Sequence, residues 1–379
     1  MKIFLCDACG QPIFFENVQC TQCGHTLGYL PDRSRLSAIE KDGEGFWRPL
    51  APDAGGRSYR MCANYAAEST CNWMIPSEHE GAYCQACRLN QTIPDLSRRE
   101  NRVLWGRLES AKRRLIYSLL RLGLPLAGKG EDKDGGLAFA FLADPDPPFR
   151  ETDRIVTGHA GGLITINIAE ADDAVRERMR QSMAEPYRTI LGHLRHESGH
   201  YYWQRLVSET PWHTRFRSLF GDETTDYARS LQRHYDQGPP ADWPTRFISG
   251  YASSHPWEDW AETWAHYLHI VDTLETAYQF GLRVAPRSAP NDSLSAEPAF
   301  DPYESEVLDP LMDHWLPLTY AVNSLNRSMG QRDLYPFVLP APGVEKLDLV
   351  HQVIRGARSS TESSRRPPAA PDTDQETDR

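Results

Sequence analysis

The chain has 379 residues with 40% hydrophobic and 25% charged residues and a net charge of −11, enough for two or three domains around at least one full hydrophobic core. That composition excludes wholesale disorder. The longest apolar runs, such as residues 137–143, fall far short of the roughly 18 residues a membrane span needs, and Met1 to Leu5 gives way at Cys6-Asp7 to polar residues without a secretory leader's apolar stretch, so neither membrane insertion nor export is expected.

All eight cysteines lie between Cys6 and Cys87. Cys6, Cys9 and Gly10, then Cys20, Cys23 and Gly24, form two CxxCG knuckles; each aims two sulfurs at one tetrahedral ion while the glycine permits the tight turn. With the strand-like residues 12–15 between them, residues 1–30 are predicted to be a rubredoxin-like zinc ribbon, since so short a segment cannot bury enough apolar surface without a metal. Residues 31–94 are predicted to be a second module in which Cys62, Cys71, Cys84 and Cys87 hold another zinc, with 31–60 mostly loop and short strands. Disulfides are the alternative, and a cysteine-free remainder with no leader argues against them. His25 and His79 are read as surface residues, although each is near enough in sequence to replace a cysteine ligand.

From Asp95 the pattern becomes helical. Leu104, Leu108, Ala111, Leu115, Leu119 and Leu122 form one apolar stripe, predicting a linking amphipathic helix over 95–125. Its other face carries Arg98, Arg99, Arg102, Arg107, Lys112, Arg113, Arg114 and Arg121. Such a face contacts phosphates, faces solvent or docks on acidic neighbours, and the last two readings are preferred in a net-negative chain.

Leu137–Leu142 and Leu163–Ile168 read as strands, the second with one exposed face; at a sheet edge beside the active helix it would align a peptide by strand addition. Helices are expected over Asp172–Met183, from Pro186 to about Val207, over Trp257–Phe280 with Pro256 in the first turn, over Tyr303–Met329 and over Val344–Ile354. Residues 126–355 are assigned to one domain, and 356–379, lacking aromatic and large aliphatic residues, to a disordered tail.

His196-Glu197-Ser198-Gly199-His200 is HExxH in a helical context. At i and i+4 the two histidines share one helix face and one zinc, and Glu197 stands beside the water. Composition alone would give about 0.03 such matches in a chain like this. A catalytic zinc needs a third protein ligand and an open position. Trp203 and Leu206 stand where the HExxHxxGxxH pattern requires glycine and histidine, so that ligand lies elsewhere. The best candidates are Glu258 and Glu262, one helical turn apart, with one ligating and the other orienting a ligand histidine.

Here the sequence resembles the gluzincins, in which a glutamate on a second helix joins the HExxH helix. It is similar to their lethal-factor-like branch, where a tyrosine precedes the ligand glutamate by seven residues as Tyr251 precedes Glu258. With its cysteine ribbons the chain looks like the bacterial zinc-ribbon metallopeptidases, a resemblance covering the ribbons and about 137–270. It implies Glu258 as third ligand and Glu262 behind His196, where the better-known pattern has aspartate; Glu262 as ligand with His266 behind it is the alternative. It further implies Glu197 as general base and Tyr251 as donor to the oxyanion, against Tyr251 as an ordinary buried tyrosine. His159, His193 and His255 are read as packing or surface residues.

The expected architecture is α+β: two four-cysteine zinc ribbons, then a mainly helical zincin-like domain with a small sheet. The expected function is a cytoplasmic zinc peptidase with one catalytic and two structural zinc ions, acting on peptide or protein substrates, its ribbons recruiting a protein partner or regulating. A nucleic-acid-associated protease and a noncatalytic zinc-binding scaffold are the competing readings.

Overall fold

In the computed structural model, which describes residues 1–145, 155, 157–182, 188–287 and 294–365, the N-terminal segment begins with β1 (Phe4–Leu5) and β2 (Pro12–Ile13), paired antiparallel around the Cys6–Cys9 knuckle. Five strands follow as one antiparallel sheet in chain order: β3 (Thr26–Leu30), β4 (Arg35–Lys41), β5 (Trp47–Pro49), β6 (Tyr59–Met61) and β7 (Met74–Pro76). The loop with short strands expected over 31–60 is found, and its strands, β4, β5 and the start of β6, belong to this one sheet. Leu36, Ser37, Ala38 and Ile39 of β4 are all buried, so the strand lacks the apolar–polar alternation that marks a half-exposed one. A single turn of helix, α1 (Ala63–Ala66), follows Cys62, and the Tyr65 hydroxyl ties it to β3, just after the Cys20–Cys23 knuckle, by donating to the Leu27 carbonyl at 2.7 Å.

Strand β8 (Asn90–Thr92) leaves the cysteine-bearing segment to join a second sheet, with β9 (Ala138–Leu142), β10 (Gly158–Ala160) and β11 (Leu163–Asn167) in the order β10-β11-β9-β8. The condition for strand addition at residues 163–168, an edge position, is therefore not met, since β11 is an interior strand. β11 runs parallel to β9 and antiparallel to β10, and β10 forms the edge.

Helix α2 (Arg99–Arg121) buries its predicted stripe, with Leu108, Leu115, Leu119 and Leu122 almost fully enclosed. Its basic face is divided: Arg98, Arg99, Arg102 and Arg107, at and just before its first turns, are exposed, whereas the later basic residues dock on neighbours. Arg102 pairs with Glu68, Arg114 with Glu16, and Arg121 with both Glu275 and Asp301. Lys112, fully buried, pairs with Glu109 at 2.8 Å, and Arg113 bonds the Thr70 carbonyl. The helix is thereby fastened to the cysteine-bearing segment at one end and to the helical body at the other.

The remainder is helical: α3 (Asp173–Ser182), α4 (Ile190–Leu206), α5 (Trp212–Phe220), α6 (Tyr227–Gln237), α7 (Pro256–Phe280), α8 (Asp309–Ser328) and α9 (Ala341–Arg365). Met183 and Pro186, the predicted end of one helix and start of the next, lie outside the described residues, and α4 begins at Ile190. Helix α9 runs past Gly356 to Arg365, so the predicted tail starts too early. Residues 357–365 carry no strong helix breaker and continue a helix already docked through Leu347, Val350 and Ile354; 366–379 lie outside the described residues. Helix α7 is buried on several sides, charged residues such as Asp259, Asp272 and Glu275 included, and packs against α4, α8 and α9. Among the described residues no helix is long and apolar enough to cross a membrane.

Helices α4 and α7 meet at the two unassigned positions of HExxH. The Trp264 indole donates to Ser198 Oγ at 3.1 Å and that of Trp260 to the Gly199 carbonyl at 3.0 Å. Gly199 is required there, because a Cβ would stand 2.9 Å from Ala261 Cα.

Candidate metal centre and active site

Thr189 caps α4 by accepting from the Gly192 amide at 3.0 Å, which fixes the phase of the helix and turns His196, Glu197 and His200 inward. His255 caps α7. Its Nδ1 accepts from the Trp257 amide at 3.1 Å and its Nε2 donates to the Thr225 carbonyl at 3.1 Å, a structural task in agreement with the sequence reading. Pro256 occupies the first turn, and Glu258 follows in the same turn, where the helix dipole favours a carboxylate.

His196, His200 and Glu258 are buried together, and one ligand atom from each lies within 4.8 Å of the others. Glu258 Oε2 is 2.9 Å from His196 Nε2, and Oε1 is 3.5 Å from His200 Nε2. Yet Glu258 Oε2 has no hydrogen-bond partner, although it is fully enclosed. A buried carboxylate oxygen facing imidazole nitrogens without a bond fits a cation held between them. Burial pushes the Glu258 carboxyl up, but His200 and His196 outweigh it and hold the group well below the usual range, in the ionised state a ligand requires.

Glu262 stands on the other side of His196. It is 2.8 Å from His196 Nδ1, and its second oxygen accepts from Ser249 Oγ at 2.7 Å. The two carboxylates thus face opposite nitrogens of one imidazole, and His266, the alternative partner, is instead bonded to the Tyr335 hydroxyl at 2.5 Å. Tyr251, in the turn before α7, brings its ring centroid to 5.9 Å from that of His196. Burial raises its hydroxyl well above the ordinary range, which keeps it a proton donor.

Sequence reasoning missed several neighbours. The Tyr227 hydroxyl at the start of α6 donates to Glu258 Oε1 at 2.7 Å; nothing in the sequence links residues so far apart. His193, read as a packing residue, lies 3.3 Å from Glu197 Oε1 through Nε2 and 2.7 Å from Glu170 Oε2 through Nδ1. Its four-residue spacing before Glu197 was the available signal. His159 of β10 sits with its ring 6.4 Å from that of His200, and burial lowers its pKa to about 4. Beside the three candidate ligands an open pocket of about 490 Å³ is lined by Trp203, Glu223, Thr224, Tyr227, His255 and Trp257.

In the cysteine clusters, Cys6 and Cys23 Sγ are 3.7 Å apart, as are Cys9 and Cys20, and Cys71 and Cys84 are 3.8 Å apart. Four sulfurs at about 2.3 Å from zinc would be spaced by about 3.8 Å along each tetrahedral edge, whereas a disulfide needs about 2.0 Å. Each set of four converges as a possible metal group. His25 and His79 belong to neither.

Comparison with known proteins agrees with this geometry. The family model described as "Putative zinc-binding metallo-peptidase" matches residues 101–353, and a zinc-ribbon domain model matches residues 3–98, spanning both clusters. Uncharacterized proteins of Mycobacterium tuberculosis and Mycobacterium bovis are 43% identical over 355 residues, covering 93% of this chain and 95% of theirs. No solved structure matches.

Proposed function

Because the chain belongs to this zinc-binding metallo-peptidase family, we propose that it hydrolyses peptide bonds, with His196, His200 and Glu258 as the three ligands of a catalytic zinc and the two cysteine clusters holding structural zinc. The observation that carries this reading is the convergence of His196, His200 and Glu258 around an enclosed carboxylate oxygen that faces His196 Nε2 at 2.9 Å without a hydrogen bond. Zinc at such a site lowers the pKa of a bound water and polarises a carbonyl.

The chain's own residues supply the rest. Glu197, buried and held ionised chiefly by His193 against the upward push of burial, takes the proton of the attacking water and delivers it to the departing amine. Tyr251 donates to the oxygen on which charge develops. Glu262 orients His196 through Nδ1, and Tyr227 anchors Glu258. The edge strand β10, packed beside α4, takes the aligning role first given to its neighbour, receiving an extended peptide by strand pairing. Four-thiolate zinc sites need reducing surroundings, which favours the cytoplasm. The ribbons are read as recruiting or regulating, and the basic face of α2 lends little support to a nucleic-acid role, because Lys112, Arg113, Arg114 and Arg121 are engaged within the molecule and only the basic residues of its first turns are exposed.

The test is cleavage of a mixed peptide library followed by mass spectrometry. Wild type is expected to produce defined cleavages that a chelator abolishes, and Glu197→Gln to lower the rate by about 10³-fold or more. Cleavage that survives in Glu197→Gln would overturn the assignment.

A further inference from the structure

Outside the three candidate ligands, one buried group of charges has no structural task that explains it. Glu170 lies in the 3-10 turn after β11, nearly enclosed. It accepts from the Thr157 hydroxyl, from Arg188 at 3.3 Å and from His193 Nδ1 at 2.7 Å. Three donors on one carboxylate leave it little freedom, and so fix the plane of the His193 ring. The other ring nitrogen, Nε2, stands 3.3 Å from Glu197 Oε1, while Glu197 Oε2 is fully enclosed and has no partner. One oxygen of Glu197 is therefore pinned, and the other is left for a proton in transit.

We infer that His193 is a positioning residue for Glu197, itself held by Glu170, so that the carboxylate is fixed by one oxygen and works with the other. The inference rests on the proposed role of Glu197. Packing alone would not place a cation-forming ring between two carboxylates, since an apolar side chain of similar size would avoid the cost of burying charge. Preorganising the group that moves a proton also removes reorientation from the reaction. A link to substrate follows as well: Thr157 immediately precedes the edge strand β10, so the same bonds tie that strand to the general base.

The probe is acetohydroxamate, a small zinc-directed ligand whose protons need a carboxylate acceptor beside the metal. Its Kd is measured by competition on the zinc-loaded full chain, together with zinc content and melting temperature. His193→Ala should weaken binding about ten-fold with zinc content unchanged, and His193→Gln, which keeps a donor, should restore most of it. In a Glu197→Gln background, His193→Ala should cause no further loss. The same ten-fold loss in that background, or loss of the third zinc in both His193 variants, would overturn the inference.

A readout that does not depend on the third zinc separates this from failure of the proposed function. In ¹⁵N-histidine NMR of the chain brought to two zinc ions, so that the cysteine clusters keep theirs and the HExxH site is empty, the His193 Nε2 resonance should shift with Glu197→Gln, and the Nδ1 resonance with Glu170→Gln. An Nε2 resonance that ignores Glu197→Gln overturns the positioning role even where zinc binds. Absence of a third zinc in wild type overturns the peptidase reading, and the NMR outcome then decides the contact by itself.

Discussion

Gly199→Ala tests whether the close contact of α4 with α7 is what assembles the candidate metal centre. In a helix interior, alanine is favoured over glycine by about 1 kcal/mol, and a substitution facing solvent would simply gain that. Here the new Cβ would stand 2.9 Å from Ala261 Cα and 3.1 Å from Trp264 Cβ. The first of these is backbone, which cannot rotate away. Overpacking of a core typically costs about 1–3 kcal/mol, and contact with backbone belongs at the upper end, so the net loss should be about 2 kcal/mol. For a domain of this size that is about 5 °C in Tm. The helices must also part by a sizeable fraction of an ångström, which moves Glu258 away from His196 and His200; affinity for the third zinc should fall about ten-fold or more. Gly106→Ala in α2 is the control, because its Cβ would meet only Thr70 Cγ2 at 3.7 Å and it should gain up to about 1 kcal/mol. Differential scanning fluorimetry and competition with a chromophoric chelator measure both effects. A Gly199→Ala protein that melts at or above wild type and keeps its third zinc at full affinity would refute the argument.

Tyr227→Phe removes the donor to Glu258 Oε1 while leaving the ring in place, and should weaken zinc at the HExxH site by about ten-fold without altering the cysteine-bound ions; the same competition assay reads it. The Glu170–His193 pair should give a stability dependence on pH. Burial pushes the Glu170 carboxyl up, but His193, Thr157 and Arg188 hold it down to about 2; burial pushes His193 down, but Glu170 and then Glu197 raise it to about 9. The depressed carboxyl contributes fully above its ordinary value near 4.5 and loses that contribution as pH falls towards 2. The raised imidazole contributes fully below its ordinary value near 6.5 and loses that contribution as pH rises towards 9. Counted once for the pair, this is about 3 kcal/mol, so the Tm gap between wild type and Glu170→Gln should be widest between about pH 5 and 6.5 and shrink on either side; a gap constant from pH 5 to 9 would contradict it. Lys112→Ala should destabilise by about 3–5 kcal/mol, because it leaves Glu109 charged and enclosed, and adding Glu109→Gln should recover much of the loss, as measured by urea denaturation.

The site was legible in the sequence where its chemistry is local. HExxH, the CxxC knuckles and the spacing of Glu258 and Glu262 all depend on residues within one or two helical turns, so their geometry follows from the helix or turn that carries them. The long helices were legible for the same reason, through the stripe of α2 and the proline that opens α7. What escaped depends on contacts distant in sequence. Strand β4 is buried along its middle and shows no alternation. The position of β11 inside its sheet is fixed by its pairing with the distant β9 on one side while the short β10 before it covers the other. Tyr227 reaches Glu258, and Glu170 reaches His193, across chain separations that leave no periodic trace. The basic face of α2 was visible, but the acidic partners that engage its later residues, from Glu16 to Asp301, are scattered over most of the chain.

Zinc content measured by elemental analysis on wild type, Glu258→Ala and Glu262→Ala, each purified without added metal, tests the central assignment most directly. Wild type should hold about three ions per chain, two at cysteine clusters and one at the HExxH helix. Glu258→Ala should fall to about two, while Glu262→Ala, which loses a contact to His196 Nδ1 rather than a ligand, should keep most of its third ion. A wild-type chain with about two ions or fewer, or a third ion lost from Glu262→Ala and retained in Glu258→Ala, would contradict the assignment.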